Sequence, residues 1–281
     1  MMLTGQAKLA GVMGWPISHS RSPMLHAYWL NEYGIDAAYL PFSVDPASLE
    51  VALRALPALG IAGTNLTVPH KEAALEICDH VDEAARHIGA VNTVVVQSDG
   101  SLFGSNTDAF GFIENLKAES SWQANNGPAV ILGAGGAARA VVSALVAEGV
   151  AEIRIANRTF ERARALADAF GSACQPLNWS DTSESFRQSA LLVNTTTLGM
   201  TGQPRLNLPL DTLPITAVVN DIVYAPLETD LLKVAAMRGN PVVDGLGMLL
   251  HQARPGFAAW FGREPDVTSG LRKHILAGLI A

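Results

Sequence analysis

The sequence has few cysteines, a shortage of basic side chains and no long apolar run, and each excludes a class of protein. Cys78 and Cys174 lie far apart and outside any Cys-x-x-Cys pair, so neither a disulfide framework nor a zinc site is predicted. Lys and Arg number 19 against 26 Asp and Glu, a formal net charge of -7, which argues against nucleic-acid or anionic-membrane partners. No segment has the roughly 18 uninterrupted apolar residues of a membrane span, and a signal-peptide pattern is missing. We therefore expect a soluble, cytoplasmic protein without a metal.

Length and hydrophobic pattern point to two domains. With 281 residues, 49% of them hydrophobic, the chain is long for one core. Apolar runs alternate with segments of helical period almost throughout, which predicts an α/β fold. We expect an N-terminal α/β domain with a mainly parallel sheet, formed by residues 1–106 with helices of residues 246–281 packing back. Residues 107–245, which contain a glycine-rich turn, are expected to form a C-terminal Rossmann domain.

The element pattern within these domains follows from the same alternation. In the first domain we predict strands at residues 9–13, 37–44, 61–68 and 90–96. Helices are predicted near residues 23–33, 46–56 and 106–118, and a further helix is predicted to begin at Pro69. In the second domain the predicted strands are residues 129–132, 153–156, 191–194, 217–222 and 241–243.

A dinucleotide-binding pattern, G-x-G-x-x-A, follows the apolar strand that ends at Leu132. Gly133 allows the tight turn, Gly135 allows backbone to approach a pyrophosphate, and Ala138 allows close packing of helix on sheet. The phosphates would lie at the helix N-terminus, where N–H groups and the helix dipole favour negative charge. Glycine turns of this kind also occur for structural reasons alone, so a second signal is needed.

That second signal is Arg158, which follows the next predicted strand about 20 residues after the glycines. An NAD site would place Asp or Glu there to bind the ribose 2′-hydroxyl, whereas arginine accommodates a 2′-phosphate. Arg158, with Arg162 one turn later, therefore favours NADP(H). A surface arginine at a strand end is the alternative, and Thr159 is also a suitable N-cap for the following helix.

Two hydroxyls precede the first predicted helix, at Ser20 and Ser22. Ser22 is a good N-cap, followed by Pro23 at the first helical position. This structural role alone would explain the serine at position 22. Hydroxyls spaced i, i+2 in front of a helix N-terminus also form a neutral receptor for a carboxylate.

Lys71 and Asp108 are the candidate pair for proton transfer. Lys71 lies just after an apolar strand, at the edge where open α/β sheets bind ligands. If Asp108 faces it, the two form the titratable pair that hydride chemistry at a carbonyl requires. The alternative for Lys71 is an exposed lysine beside Glu72, and the alternative for Asp108 is a carboxylate in the first turn of a helix. For Asn92 the alternative is a buried amide in a turn.

The order of short motifs resembles the shikimate dehydrogenase family from about Gly14 to Ala253. The motifs are GWPISHSRSP, NLTVPHKE, GAVNT, GSNTDAFGF, GAGGAARA, NRTFER, NTTTLGM, DIVYAPLET and DGLGMLLHQA. The resemblance implies reversible, NADPH-dependent reduction of 3-dehydroshikimate to shikimate, in the route to aromatic amino acids. It implies no metal.

Site residues also follow from the resemblance. It implies Ser20 and Ser22 as ligands of the carboxylate, Thr67, Asn92 and Asp108 as ligands of the ring hydroxyls, Lys71 as acid/base, and Tyr224 and Gln252 as residues that close over the substrate. It implies a cofactor site of Gly133, Ala134, Gly135, Gly136, Ala137, Asn157, Arg158, Thr159 and Arg162, with Ile222 and Gly245 beside the nicotinamide and Glu83 at a weaker cofactor-linked position.

Two positions depart from the commonest family pattern: Ala27, where Asn is frequent, and His70, where an aromatic residue is frequent. Ser22 resembles the members that prefer shikimate over quinate. The rival interpretations are a paralogue that acts on quinate or an amino analogue, a non-catalytic NADP-binding sensor, and a plain structural α/β protein. A homodimer is left open.

Overall fold

Two compact units make up the structure, a computed structural model that describes residues 3–280 and the side chains of residues 3–278. The first unit comprises the chain through Thr107 together with the segment from Gln252 onward. The second unit runs from Asp108 to His251. Residues 1, 2 and 281, which the predicted domain ranges include, lie outside the described residues.

Strands and helices alternate along the chain. The strands are β1 (Lys8–Gly14), β2 (Ala37–Ser43), β3 (Ile61–Leu66), β4 (His80–Val81), β5 (Thr93–Val96), β6 (Leu102–Ser105), β7 (Ala129–Leu132), β8 (Ile153–Asn157), β9 (Cys174–Asn178), β10 (Leu191–Asn194), β11 (Val218–Asp221) and β12 (Val242–Val243). The helices are α1 (Ser22–Glu32), α2 (Leu49–Ala55), α3 (Ala74–Ile77), α4 (Glu83–Ile88), α5 (Asp108–Glu119), α6 (Gly136–Ala147), α7 (Phe160–Phe170), α8 (Thr182–Ser185), α9 (Asp230–Arg238), α10 (Leu246–Phe261) and α11 (Ser269–Ile280).

The first unit contains a mixed sheet with the strand order β2-β1-β3-β5-β6-β4. The pairs β1–β2, β1–β3 and β4–β6 are parallel, and the pairs β3–β5 and β5–β6 are antiparallel. The predicted α/β class is confirmed, and the antiparallel hairpin β5–β6 adds to the parallel strands that the pattern predicts. Asp99 closes its turn by accepting hydrogen bonds from the Ser101 N–H (2.9 Å) and hydroxyl (2.7 Å).

The predicted helix beginning at Pro69 is wrong. Residues 68–73 form turns, and the helix α3 begins only at Ala74. The Lys71 carbonyl accepts a hydrogen bond from the Val91 N–H at 2.8 Å, so it is committed to a distant segment rather than to a helical partner four residues on. Lys71 therefore lies on a turn that is fixed by tertiary contacts.

The second unit contains a fully parallel sheet with the order β12-β11-β10-β7-β8-β9. This is the Rossmann order, in which the direction of strand addition along the sheet reverses between β7 and β10. Every residue of β7 and β10 is buried, as expected for strands covered on both faces. Ligands of such sheets bind beyond the carboxyl ends of the strands at this reversal, where the segments after Leu132 and Asn194 lie.

Helix α10 passes through the boundary between the units in sequence, since His251 and Gln252 are consecutive helical residues. The predicted boundary at residue 246 coincides with the first residue of this helix, whereas the structural division falls inside it. Within the described residues, none of the helices is long and apolar enough to cross a membrane.

Candidate active site

The glycine turn after β7 is shaped by its neighbour β10. Gly133 has φ 111°, a conformation that favours glycine, and an added Cβ would lie 2.6 Å from the Thr195 Oγ1. That hydroxyl is itself fixed, because it donates to the Leu132 carbonyl oxygen at 2.6 Å. Any side chain at position 133 would therefore displace the segment that follows β10.

The residues after Gly133 leave room for a ligand. Gly135 is the N-cap of α6 and Gly136 its first residue; both are exposed, and a Cβ at either would meet no atom within 4 Å. Ala138 is fully buried, so the helix packs closely on the sheet. Ala134 and Ala137 are half-buried. A helix N-terminus with open space in front of it fits the diphosphate of a dinucleotide.

The neighbouring strand β8 ends beside this turn, since the Gly133 N–H donates to the Ala156 carbonyl oxygen at 2.8 Å. Arg158 directly follows β8 and is exposed, as are Thr159 and Arg162. Thr159 is the N-cap of α7 but makes no side-chain capping bond. Asn157 shapes the turn instead, by donating from Nδ2 to the Thr159 carbonyl oxygen at 2.8 Å.

Ile222 and Gly245 meet in the second unit. A Cβ at Gly245 would overlap the Ile222 carbonyl oxygen, so glycine alone permits this approach. Tyr224, half-buried, lies two residues after Ile222 on the segment that follows β11. The structure thus brings Ile222 and Gly245 together.

Asp221, at the end of β11, anchors this segment and was not identified from the sequence. Its Oδ1 accepts hydrogen bonds from the Val223 N–H and the Asn194 Nδ2, both at 3.0 Å. Its Oδ2 accepts from the Thr229 hydroxyl at 2.7 Å. Burial raises the pKa of the Asp221 carboxyl to about 6, against the lowering effect of these three donors.

We expect Asp221→Asn to change the pH dependence of folding stability. Because the pKa of Asp221 is higher in the folded chain than in the unfolded chain, the protonated carboxyl favours folding. The wild-type protein is therefore most stable relative to the variant below about pH 4, and it loses this advantage as pH rises through about 6. The relative loss approaches about 3 kcal/mol at pH 7. Urea unfolding of both proteins from pH 4 to 8 checks this; a difference in free energy that stays constant over this range would contradict it.

In the first unit, polar side chains converge on Asn92, which is buried just before β5. Its Oδ1 accepts from the Thr107 N–H (2.9 Å), the Thr107 hydroxyl (3.2 Å) and the Thr93 hydroxyl (2.9 Å). Since the oxygen is fixed by these donors, the Nδ2 group must point away from them. Thr107 immediately precedes Asp108, the first residue of α5.

The turn between β3 and α3 carries Thr67 and Lys71, both half-buried. The Thr67 N–H donates to the Met13 carbonyl oxygen at 3.0 Å, which holds the turn against β1. His70 is buried, and its Nε2 lies 2.9 Å from the Val44 carbonyl oxygen. His70 is therefore a structural side chain, while its neighbour Lys71 is accessible to solvent.

Ser20 and Ser22 are half-buried at the start of α1. The interpretation of Ser22 as the N-cap is wrong, because Arg21 occupies that position and Ser22 is the first helical residue. Gln252 on α10 belongs to the same unit and is half-buried.

Asp108 and Glu83 are each the first residue of a helix. Asp108 is the first residue of the second unit and of α5, and it is half-buried. Glu83 begins α4 in the first unit and is exposed, whereas the other predicted cofactor residues belong to the second unit. No group of three or more His, Cys, Asp or Glu among the described residues could hold a metal ion.

Comparisons with known proteins show the family of this chain. Three family models match: shikimate dehydrogenase substrate binding domain (residues 12–94), shikimate / quinate 5-dehydrogenase (116–199) and shikimate 5′-dehydrogenase C-terminal domain (245–271). The shikimate dehydrogenase (NADP(+)) of Paramagnetospirillum magneticum is 60% identical over 98% of this chain and 100% of its own length. The chain belongs to the shikimate dehydrogenase family.

Other shikimate dehydrogenases extend the comparison. That of Rhodospirillum rubrum is 57% identical over 98% of this chain and 99% of its own. The solved Thermus thermophilus enzyme, in complex with NADP(H) and shikimate, is 40% identical with a TM-score of 0.85, covering 96% of this chain and 99% of that one. The solved structure of quinate dehydrogenase from Corynebacterium glutamicum, in complex with NAD, is 34% identical with a TM-score of 0.89. The match covers 96% of this chain and 99% of that one.

Proposed function

We propose that this chain catalyses the reversible, NADPH-dependent reduction of 3-dehydroshikimate to shikimate, in aromatic amino acid biosynthesis. The observation that carries the proposal is the 60% identity, over nearly the whole of both chains, to a protein named shikimate dehydrogenase (NADP(+)). The quinate dehydrogenase, which shares the fold at 34% identity, makes quinate oxidation the second candidate.

Substrate binding is assigned to the first unit, the predicted domain of residues 1–106 and 246–281. Ser20 and Ser22 bind the carboxylate, since hydroxyls at a helix N-terminus suit an anion. Thr67 and Asn92 bind ring hydroxyls, and the hydrogen bonds that the Asn92 Oδ1 accepts hold this side chain in place. Gln252, and from the second unit Tyr224, are assigned to close over the ring.

Proton transfer is assigned to Lys71. Its ammonium group donates a proton to the alkoxide that forms at the reduced carbon, and in the reverse direction its amine accepts that proton. Asp108 binds the adjacent hydroxyl and orients the reacting carbon. Positioning and neutralisation of the developing charge account for the rate enhancement.

Cofactor binding is assigned to the second unit, the predicted domain of residues 107–245. The nicotinamide of bound NADPH supplies the hydride. The N-terminus of α6 receives the diphosphate, with room at Gly135 and Gly136, and Arg158 and Arg162 receive the 2′-phosphate. Ala134, Ala137, Asn157 and Thr159 line the same edge, Ile222 and Gly245 contact the nicotinamide, and Glu83 is a secondary position.

The steady-state rates of oxidation of shikimate and quinate, each with NADP and NAD, test this function. We expect the highest kcat/KM for shikimate with NADP. A preference for quinate with NAD would favour the second candidate. Tight NADP binding without turnover of either acid would point to a non-catalytic sensor.

The proposed compartment is the cytoplasm, and the proposed partners are shikimate and 3-dehydroshikimate. Cys78 and Cys174 are both buried free thiols, which is in keeping with a reducing compartment. A homodimer stays open as an alternative to a monomer, and light scattering of the purified chain decides between them.

A further inference from the structure

Asp221 and Asn194 are the last residues of two neighbouring strands, β11 and β10, and they pair in register. Both residues are 0% exposed, so bulk water cannot replace the partners of either side chain. They lie at the carboxyl ends of the strands, the edge at which sheets of this order bind ligands. The Asp221 Oδ1 accepts hydrogen bonds from the Asn194 Nδ2 and the Val223 N–H, both at 3.0 Å. One carboxylate oxygen therefore joins the end of β10 to the backbone that follows β11.

The Asn194 side chain is itself held by the loop that follows β10. Its Oδ1 accepts from the Thr196 N–H (3.1 Å) and the Thr196 hydroxyl (2.7 Å). Its Nδ2 donates to the Leu198 carbonyl oxygen at 3.2 Å and to the Asp221 Oδ1. Because a backbone N–H can only donate, the atom that faces Thr196 must be the oxygen, and the Nδ2 must face Asp221. Asn194 thus offers Asp221 a fixed donor.

Thr229 holds the other carboxylate oxygen. Its hydroxyl donates to the Asp221 Oδ2 at 2.7 Å, and its own oxygen accepts from the Leu232 N–H at 3.4 Å as the N-cap of α9. Each of these contacts brings a donor to the Asp221 carboxyl, which suits its ionised form, an acceptor only. Hydrogen bonds to an ionised acceptor are stronger than neutral ones. The carboxylate is therefore held from two sides, by the end of β10 and the start of α9.

The peptide group that joins Ile222 to Val223 is held at both of its polar atoms. Asp221 accepts from its N–H, and its carbonyl oxygen, that of Ile222, lies so close to Gly245 that a Cβ there would overlap it. The preceding peptide is fixed as well, because the Ile222 N–H donates to the Asn194 carbonyl oxygen at 3.1 Å. The two peptides that flank the Ile222 side chain are thus fixed, one by a backbone bond and the other by Asp221.

We propose that Asp221 is a positioning residue of the cofactor site, which fixes the Ile222–Val223 peptide and so holds the Ile222 side chain against the nicotinamide. This rests on the proposed function, in which Ile222 contacts the nicotinamide. The diphosphate end of the site is held separately, because the Gly133 N–H donates to the Ala156 carbonyl oxygen at 2.8 Å. Loss of the Asp221 contact would therefore move the nicotinamide and leave the diphosphate in place.

Two neutral variants of similar volume, Asp221→Leu and Asp221→Asn, test the proposal. Asparagine keeps an oxygen that accepts from the Val223 N–H, with its Nδ2 turned to the Thr229 oxygen, whereas leucine accepts nothing. We expect Asp221→Leu to lower kcat/KM for NADP about 10²-fold, because small displacements of a reacting group have effects of this size. Asp221→Asn should lower it less than about threefold.

A nicotinamide-free ligand separates positioning from a general loss of structure. This ligand, 2′-phosphoadenosine 5′-diphosphoribose, is NADP without its nicotinamide, and calorimetric titration measures its Kd. Both variants should bind it within about twofold of the native chain, because the diphosphate turn and Arg158 are unchanged. A native-like kcat/KM for NADP in Asp221→Leu would overturn the proposal, and so would a Kd for this ligand that rises as much as kcat/KM falls.

The matched control is Asn240→Leu, which removes buried hydrogen bonds at the opposite end of β11. The Asn240 Nδ2 donates to the carbonyl oxygens of Pro214 (2.8 Å) and Ala217 (3.0 Å), just before β11 begins. This variant should be less stable in urea unfolding and keep kcat/KM for NADP within about twofold. A loss of kcat/KM equal to that in Asp221→Leu would mean that any destabilisation of this unit has the same effect, and it too would overturn the proposal.

If Asp221→Leu does not fold, Thr229→Val replaces it. Valine has the shape of threonine without the hydroxyl that donates to the Asp221 Oδ2. We expect kcat/KM for NADP to fall about tenfold, with the Kd of the nicotinamide-free ligand within about twofold of the native value. Thr229→Ser, which keeps the hydroxyl, should be close to native. Equal kcat/KM in Thr229→Val and Thr229→Ser would overturn the proposal.

Failure of this inference differs from failure of the proposed function. If the native chain does not oxidise shikimate with NADP, both fall. If the native chain is active and the variants give any of the overturning results, the function stands and Asp221 is a structural residue only.

Discussion

Replacement of Lys71 by alanine will lower kcat for shikimate oxidation by about 10²- to 10⁴-fold, with the KM for shikimate nearly unchanged. Lys71 is assigned the proton transfer, an interaction that strengthens only as charge develops on the reacting oxygen. The neighbouring His70 cannot replace it, because that ring is buried and its Nε2 is engaged with the Val44 carbonyl oxygen at 2.9 Å. Steady-state kinetics at saturating NADP measure both constants.

Lys71→Arg separates proton transfer from charge. Arginine keeps a positive charge at this position but does not release its proton in proteins, so we expect kcat to fall nearly as far as with alanine. Lys273→Ala is the control, since Lys273 is exposed on α11 in the same unit and has no assigned role. An unchanged kcat in Lys71→Ala, or a fully active Lys71→Arg, would remove the proposed role.

The Rossmann unit could be predicted well because its physical signals are local. Residues of β7 and β10 are buried on both faces, and this requires short, continuous apolar runs that are visible in the sequence. The turn at Gly133 is equally visible, because its backbone conformation requires glycine. By contrast, β9 has only one buried residue and contains Pro176, as edge strands can, and no strand is predicted there.

The first unit was harder to predict because tertiary contacts decide its local structure. The turn that carries Lys71 depends on the hydrogen bond from Val91, twenty residues away in the chain. Strand β6 contains Gly104, where a Cβ would lie 2.9 Å from the Cys78 Sγ, so its small residue reflects packing and gives no strand signal. Neither partner can be identified from the neighbouring sequence.

Residues of the candidate site also differ in whether local sequence or tertiary contacts reveal them. Residues such as Lys71 and Arg158 lie just after strands, where the position of a ligand in an α/β sheet can be inferred from the pattern. Asp221 lies within a strand and acts on other side chains, so its importance appears only once β10 is adjacent to β11. The DIVYAPLET motif contains Asp221, but it does not reveal the burial of its carboxyl group.

Replacement of Arg158 by alanine will raise the KM for NADP by about 10²-fold and leave the KM for NAD within about twofold. Arg158 is exposed at the end of β8, and within the described part of the chain no carboxylate lies at ion-pair distance from it. Its guanidinium is therefore available to bind the 2′-phosphate, which NAD lacks. Initial rates with both cofactors at fixed shikimate measure the change in preference.

Arg164→Ala provides a matched control for this experiment. Arg164 is also exposed, on α7, but it lies beside Glu161 (3.7 Å) and Asp168 (3.9 Å), so its removal should leave both cofactor constants unchanged. Arg162→Ala should weaken NADP binding less than Arg158→Ala, because Arg162 lies one turn further along. If Arg158→Ala raised the KM for NADP and NAD equally, the arginine would be shaping the turn. If neither changed, it would be a surface residue, and the choice of NADP would need another explanation.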